Sequence, residues 1–85
     1  MRVSVASALR SYTQSREHVT GSGATVGELL FDLDRSFPGI RFRIVDEQER
    51  IRVHIRIFVN RELADLKRAL QESDEVQILC ALSGG

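Results

Sequence analysis

The chain ends Ala81-Leu82-Ser83-Gly84-Gly85, and this ending is its sharpest chemical signal. Two glycines after an apolar run weaken a strand and offer nothing to bury, so they suit a thread entering a channel too narrow for any Cβ. The six residues beyond Leu79 span roughly 20 Å at about 3.3–3.6 Å each, enough to carry a terminal Gly85 carboxylate into a partner's active site. Other chemistry-bearing residues point less far. Gly21, Gly23 and Gly27 have the spacing GxGxxxG, which is not the dinucleotide fingerprint, and no Gly-Lys-Ser/Thr follows for a phosphate loop. They read as a turn leading into a helix. His18 and His54 lack any metal-ligand spacing and are expected on solvated strand faces. Cys80 is the single cysteine, so an internal disulfide and a paired-cysteine zinc site are excluded. If Val76 and Ile78 face a core, Cys80 shares their side and behaves as a small hydrophobe. Leu79 then points to the open face, where it is a candidate partner-binding anchor together with Phe58 on a neighbouring strand.

These residues need a scaffold, and 85 of them supply only one modest core, burying roughly 60–65% of the unfolded surface. That leaves little structure for an internal catalytic cleft and argues against a self-contained enzyme. Twelve basic side chains balance twelve acidic ones, so no global field attracts nucleic acid or an anionic membrane. Arg41, Arg43, Arg50, Arg52 and Arg56 form one basic cluster, but Asp46, Glu47 and Glu49 lie beside it and the aromatic stacking of a single-strand binder is missing. A solvated face is the expectation. No apolar run approaches the roughly 18 residues of a membrane span, and the N-terminus lacks the apolar stretch of a signal peptide, which points to the cytoplasm.

The elements follow from periodicity. Val3 and Val5 alternate with polar or small neighbours, giving a first strand, and Ser15 to Thr20 reads as a weaker second one around Val19. Thr25-Val26-Gly27-Glu28 has the spacing of a capping box, so a helix starts at Val26. Val26, Leu29, Leu30, Leu33 and Phe37 make one apolar stripe, and Phe37-Pro38-Gly39 ends the helix. Ile51 to Val59 alternates and predicts a central strand; Ile40 to Val45 reads as either a paired strand or a short crossover helix, the period favouring the strand. Asn60-Arg61-Glu62 is a turn, Leu63 to Leu70 a short edge segment, and Val76 to Leu82 a last strand. This order predicts an α+β, β-grasp (ubiquitin-like) fold: a mixed sheet of four to five strands, one main helix on one face, and a projecting C-terminal tail. Residues 1–82 form the domain and 83–85 the tail.

Several stretches together resemble the ubiquitin-like sulfur carriers of the MoaD and ThiS type. They are Leu9-Arg10, Thr25-Val26-Gly27-Glu28-Leu29-Leu30, Phe37-Pro38-Gly39-Ile40, Ile57-Phe58-Val59-Asn60, Asp74-Glu75-Val76-Gln77-Ile78-Leu79 and Ser83-Gly84-Gly85. The Leu9-Arg10 and Phe37-Pro38-Gly39 segments are most similar to the MoaD-like branch, which includes a carrier for cysteine synthesis. Ser73 and Cys80 stand where the family often has glycine and proline, which blurs the branch more than the family.

The resemblance implies a protein cosubstrate whose own end is transformed. Gly85 would be adenylated by an E1-like adenylyltransferase/sulfurtransferase that uses ATP, with no cofactor bound by the carrier itself. The resulting thiocarboxylate would serve a downstream sulfur-accepting synthase, with a metallopeptidase as a further candidate partner. Gly84 belongs to the reacting end, and Leu79, Phe58, Leu82 and Ser83 to partner binding. Nucleic acid and membranes are not expected partners. The same ending also suits a ubiquitin-like modifier joined to lysines, and the fold alone suits a non-covalent interaction module.

Overall fold

The computed structural model describes residues 1–81. Five strands form one mixed sheet: β1 (Arg2–Val5), β2 (His18–Thr20), β3 (Ile55–Val59), β4 (Glu62–Leu63) and β5 (Glu75–Cys80), in the order β2-β1-β5-β3-β4. β5 enters the middle, parallel to β1 and antiparallel to β3, while both outer pairs are antiparallel. The parallel central pair requires the long crossover that α1 (Val26–Ser36) provides.

α1 forms where the spacing predicts it. Thr25 has extended backbone, and its Oγ1 accepts the Glu28 N–H at 3.2 Å. The Glu28 carboxylate reaches one residue further back than a capping box prescribes, accepting the Ala24 N–H at 3.0 Å. Val26, Leu29, Leu30 and Leu33 are fully buried beneath the sheet's inner residues Val3, Val5, Ile55, Ile57, Val59, Val76 and Ile78. Truncating any of the leucines to alanine costs about 2–5 kcal/mol, so this stripe fixes the helix against the sheet. Gly23 lets the chain enter closely: a Cβ there would lie 2.5 Å from the Leu29 backbone nitrogen.

The choice left open at Ile40 to Val45 falls to the helix, Ile40–Ile44 forming a second short one, α2, while two other expectations need correction. Gly39, at φ 98°, breaks the chain away from α1, and the Asp34 carboxylate accepts the N–H groups of Gly39 and Arg41, both at 3.0 Å, at the start of α2. Ile40 and Ile44, four residues apart, are buried while Phe42 is exposed, a helical and not an alternating pattern. The predicted strand Ile51 to Val59 begins only at Ile55. Its first half is spent on a loop, because the Asp46 carboxylate gathers the N–H groups of Gln48 and Arg50 at 2.8 and 3.0 Å and turns the chain back on α2. Ile51 makes a single bridge to Val45, and Val53 is 84% exposed instead of buried beside Ile55. The weak second strand is likewise shortened to His18–Thr20, since Gln14 and Ser15 adopt positive φ.

Candidate docking face and C-terminal segment

The helices cover one face of the sheet and leave the other open. Strand register builds a transverse row across that open face, His18–Ser4–Gln77–Phe58–Leu63, one residue from each strand. A second row at the tail end of the sheet places Leu79 beside Arg56. Leu79 lies diagonal to Phe58, a separation that long side chains bridge. Along the first row the open face therefore changes from polar at His18, Ser4 and Gln77 to apolar at Phe58 and Leu63, and in the second row Leu79 adds apolar surface beside the charge of Arg56. Its polar part forms a shallow hollow of about 200 Å³ lined by Arg2, Ser4, His18, Glu75 and Gln77.

Leu79 is 40% exposed and Leu63 65% exposed, with the half-buried Phe58 between their strands. The expected pair Leu79 and Phe58 is thus brought onto one patch. Leu63 joins it and was missed by the sequence reading. The signal lay in the turn: Asn60 and Arg61 both have positive φ, 51° and 72°, so the hairpin has two loop residues and sets Leu63 opposite Phe58. The turn is locked by Asn60, whose side-chain Nδ2 donates to Asp74 at 2.9 Å while its Oδ1 accepts the Glu75 N–H at 3.0 Å. Asp74 also accepts the Gln71 N–H at 2.8 Å; that bond first, and then Asn60, hold its carboxyl below the usual value of 3.8. This anchors the start of β5, the strand that carries the tail.

Leu82, Ser83, Gly84 and Gly85, the other expected site residues, lie outside the described residues. The last described residue is held by the backbone: the Ala81 N–H donates to the His54 carbonyl at 2.7 Å. Cys80 is half-buried against the core on the side of Val76 and Ile78. His18 sits exposed on β2, and His54 lies exposed in the loop before β3. Among the described residues no group of three or more His, Cys, Asp or Glu side chains is placed to hold a metal ion.

The basic cluster divides. Arg41 pairs with Glu49 at 2.7 Å and stacks 4.0 Å above the Phe31 ring, while Arg50 pairs with Asp46 at 3.8 Å and contacts Gln48. Arg52 stacks 4.7 Å above Phe42 and donates its Nε to the Phe42 carbonyl at 2.7 Å. Arg43, Arg52 and Arg56 meet no carboxylate among the described residues. Nor does any helix there have the length and apolarity to cross a membrane.

A main helix packed on one face of a five-stranded mixed sheet, with a parallel central pair and the chain leaving beside an apolar patch, defines a β-grasp, ubiquitin-like protein. The ThiS family matches residues 3–85, and the chain belongs to that family. The sulfur carrier protein CysO of Mycobacterium tuberculosis is 34% identical over 89 residues, covering 98% of this chain and 96% of the relative. A chain of the crystallised BexX/CysO complex of Amycolatopsis orientalis superposes with a TM-score of 0.92 at 33% identity, covering 99% of this chain and 98% of that one. SAMP1 of Haloferax volcanii, a small archaeal modifier protein, gives 0.81 at 30% identity, covering all of this chain and 98% of that one.

Proposed function

We propose that the chain is a sulfur carrier whose Gly85 carboxylate is adenylated by an E1-like enzyme and converted to a thiocarboxylate. The observation that carries this reading is the match to the ThiS family through residue 85, together with near full-length similarity to CysO. A carboxylate is a poor acyl donor, since oxide is a poor leaving group; ATP solves this by making AMP the leaving group, which a sulfur donor then displaces. The carrier supplies the acyl group and its delivery, and the partner supplies the catalysis. Leu79, Phe58 and Leu63 dock the activating enzyme and point the tail into its site, with Leu82 and Ser83 forming the connecting stretch. An A. orientalis relative is known in complex with a partner, which supports docking as the mode of use.

The test is intact-protein mass spectrometry after incubation with the cognate activating enzyme, ATP and a sulfur source. The expected result is the mass increase of one oxygen exchanged for sulfur, localised to Gly85. An unchanged mass with a demonstrably active enzyme overturns the reading. A second reading, conjugation through Gly85 to lysines of other proteins, is favoured by the likeness to SAMP1. It predicts lysines of other proteins that carry, joined through Gly85, the tryptic remnant of residues 69–85 that begins after Arg68 in digests of the native cell.

A further inference from the structure

At the edge of the open face, where it shares Leu63 with the apolar patch, the loop before β3 builds a second feature whose Arg52, Val53 and Asp65 the carrier reading does not use. A groove of about 310 Å³ runs between residues 51–56 and the segment following β4, with Ile51, Val53 and Leu63 on its walls. Val53 stands 84% exposed there and Leu63 65%. A lone exposed valine is ordinary, but this one lies between two arginines, Arg52 and Arg56, that line the groove and meet no carboxylate among the described residues. Asp65 lines the opposite side.

The backbone here is already satisfied. The Ile55 N–H donates to the Arg52 carbonyl at 2.9 Å, and Arg56 Nη1 donates to the carbonyls of Val53 and Ile55 at 2.7 and 3.0 Å. Arg56 thereby closes the stretch of β3 that β4 does not reach, so an occupant does not enter by adding a strand. It must be held through side chains.

We propose that this groove binds an extended, acidic and apolar segment of a partner protein, its carboxylates on Arg52 and Arg56 and its apolar side chain against Val53 and Leu63. Arginine suits the role because its planar fork meets carboxylates in pairs. Asp65 orients the segment, turning its acidic end toward the arginines. Nucleic acid fits less well, because no aromatic ring lines the groove to stack on a base. The proposal is independent of the chemistry at Gly85.

The experiment is an NMR titration of the isotope-labelled full chain with a blocked pentapeptide alternating glutamate and leucine. Saturable shifts confined to residues 51–56 and 63–65, weakened about tenfold in Arg52→Glu and in Val53→Ser, are expected. Val53→Ser changes a solvent-exposed side chain, so its fold is preserved even if Arg52→Glu disturbs the contact with Phe42. Binding should also weaken as salt is raised. Absence of saturable shifts, equal binding of a control pentapeptide alternating lysine and leucine, or shifts centred on Phe58 and Leu79 would overturn the proposal. So would groove binding by single-stranded oligonucleotide or anionic vesicles without binding of the acidic peptide.

Discussion

Strand β5 presents two faces with opposite economies. Val76 and Ile78 are 1% and 0% exposed beneath α1, whereas Leu79, the next residue along, is 40% exposed on the open side. Neighbouring strands repeat the division: Ile57 is sealed and Phe58 half-open, Val3 is sealed and Ser4 half-open. The inner face carries the stability of the fold, leaving the outer face free to differ in polarity from one edge to the other. A small protein can in this way leave one sheet face open, as the proposed docking requires, without weakening its core.

The comparison breaks most visibly at adjacent residues of β5. Ile78→Ala is expected to lose about 2–5 kcal/mol, a large share of the ~5–15 kcal/mol typical of a domain, read as a lower urea midpoint. Leu79→Asp should leave stability within about 0.5 kcal/mol of the parent, because its side chain faces solvent. It should nonetheless slow activation by the adenylating enzyme about tenfold at subsaturating carrier concentration, the scale of losing one apolar anchor. Equal stability losses in the two variants would show that the open face is not separate from the core. An unchanged activation rate in Leu79→Asp would move the docking surface elsewhere.

A third substitution tests how α1 is held against the inner face. Thr25→Ala removes the acceptor for the Glu28 N–H and should cost about 1 kcal/mol by denaturant titration. Sulfur loading at saturating enzyme should be unaffected, since Thr25 lies on the other side of the sheet from Leu79.

How much of this was legible in the sequence depends on which interaction decides each element. α1 was legible because its cap, its stripe and its Phe37-Pro38-Gly39 stop agree. The facing of Leu79 and Phe58 was legible because strand period 2 leaves no choice once Ile78 and Ile57 are buried. Ile40 to Ile44 stayed open between strand and helix because isoleucines, arginines and Phe42 alternate there, a pattern that fits a strand as well as the i, i+4 pair that is actually buried. What decides it is the Asp34 carboxylate capping α2 from the preceding helix, a tertiary contact. Val53 misled for a similar reason, since the turn gathered by Asp46 interrupts the alternation before Ile55. Leu63 was missed because its position follows from positive φ at Asn60 and Arg61, which composition signals only through the asparagine.

The smallest expected effect concerns acid, and it separates the loops from both faces of the sheet. Asp46 is held below 3.8 chiefly by the Arg50 N–H, with the Gln48 N–H and the charges of Arg50 and Arg52 adding to it; Asp74 is held below 3.8 by Gln71 and Asn60. Both carboxyls are solvent-exposed, so the contribution of each is modest. A depressed folded-state pKa means that the unfolded chain takes up the proton first. The stabilisation is therefore fully present above the ordinary value of 3.8 and fades as pH falls through the lower folded value. Urea midpoints followed into this range should decline less steeply in Asp46→Asn and Asp74→Asn than in the parent. Because Asp74 anchors the turn that aligns Leu63 with Phe58, its variant should also loosen the docking patch, seen as faster amide exchange at Glu75, while Asp46→Asn should leave that amide unchanged. Identical exchange in the two variants would mean that the Asn60–Asp74 lock does not govern the hairpin.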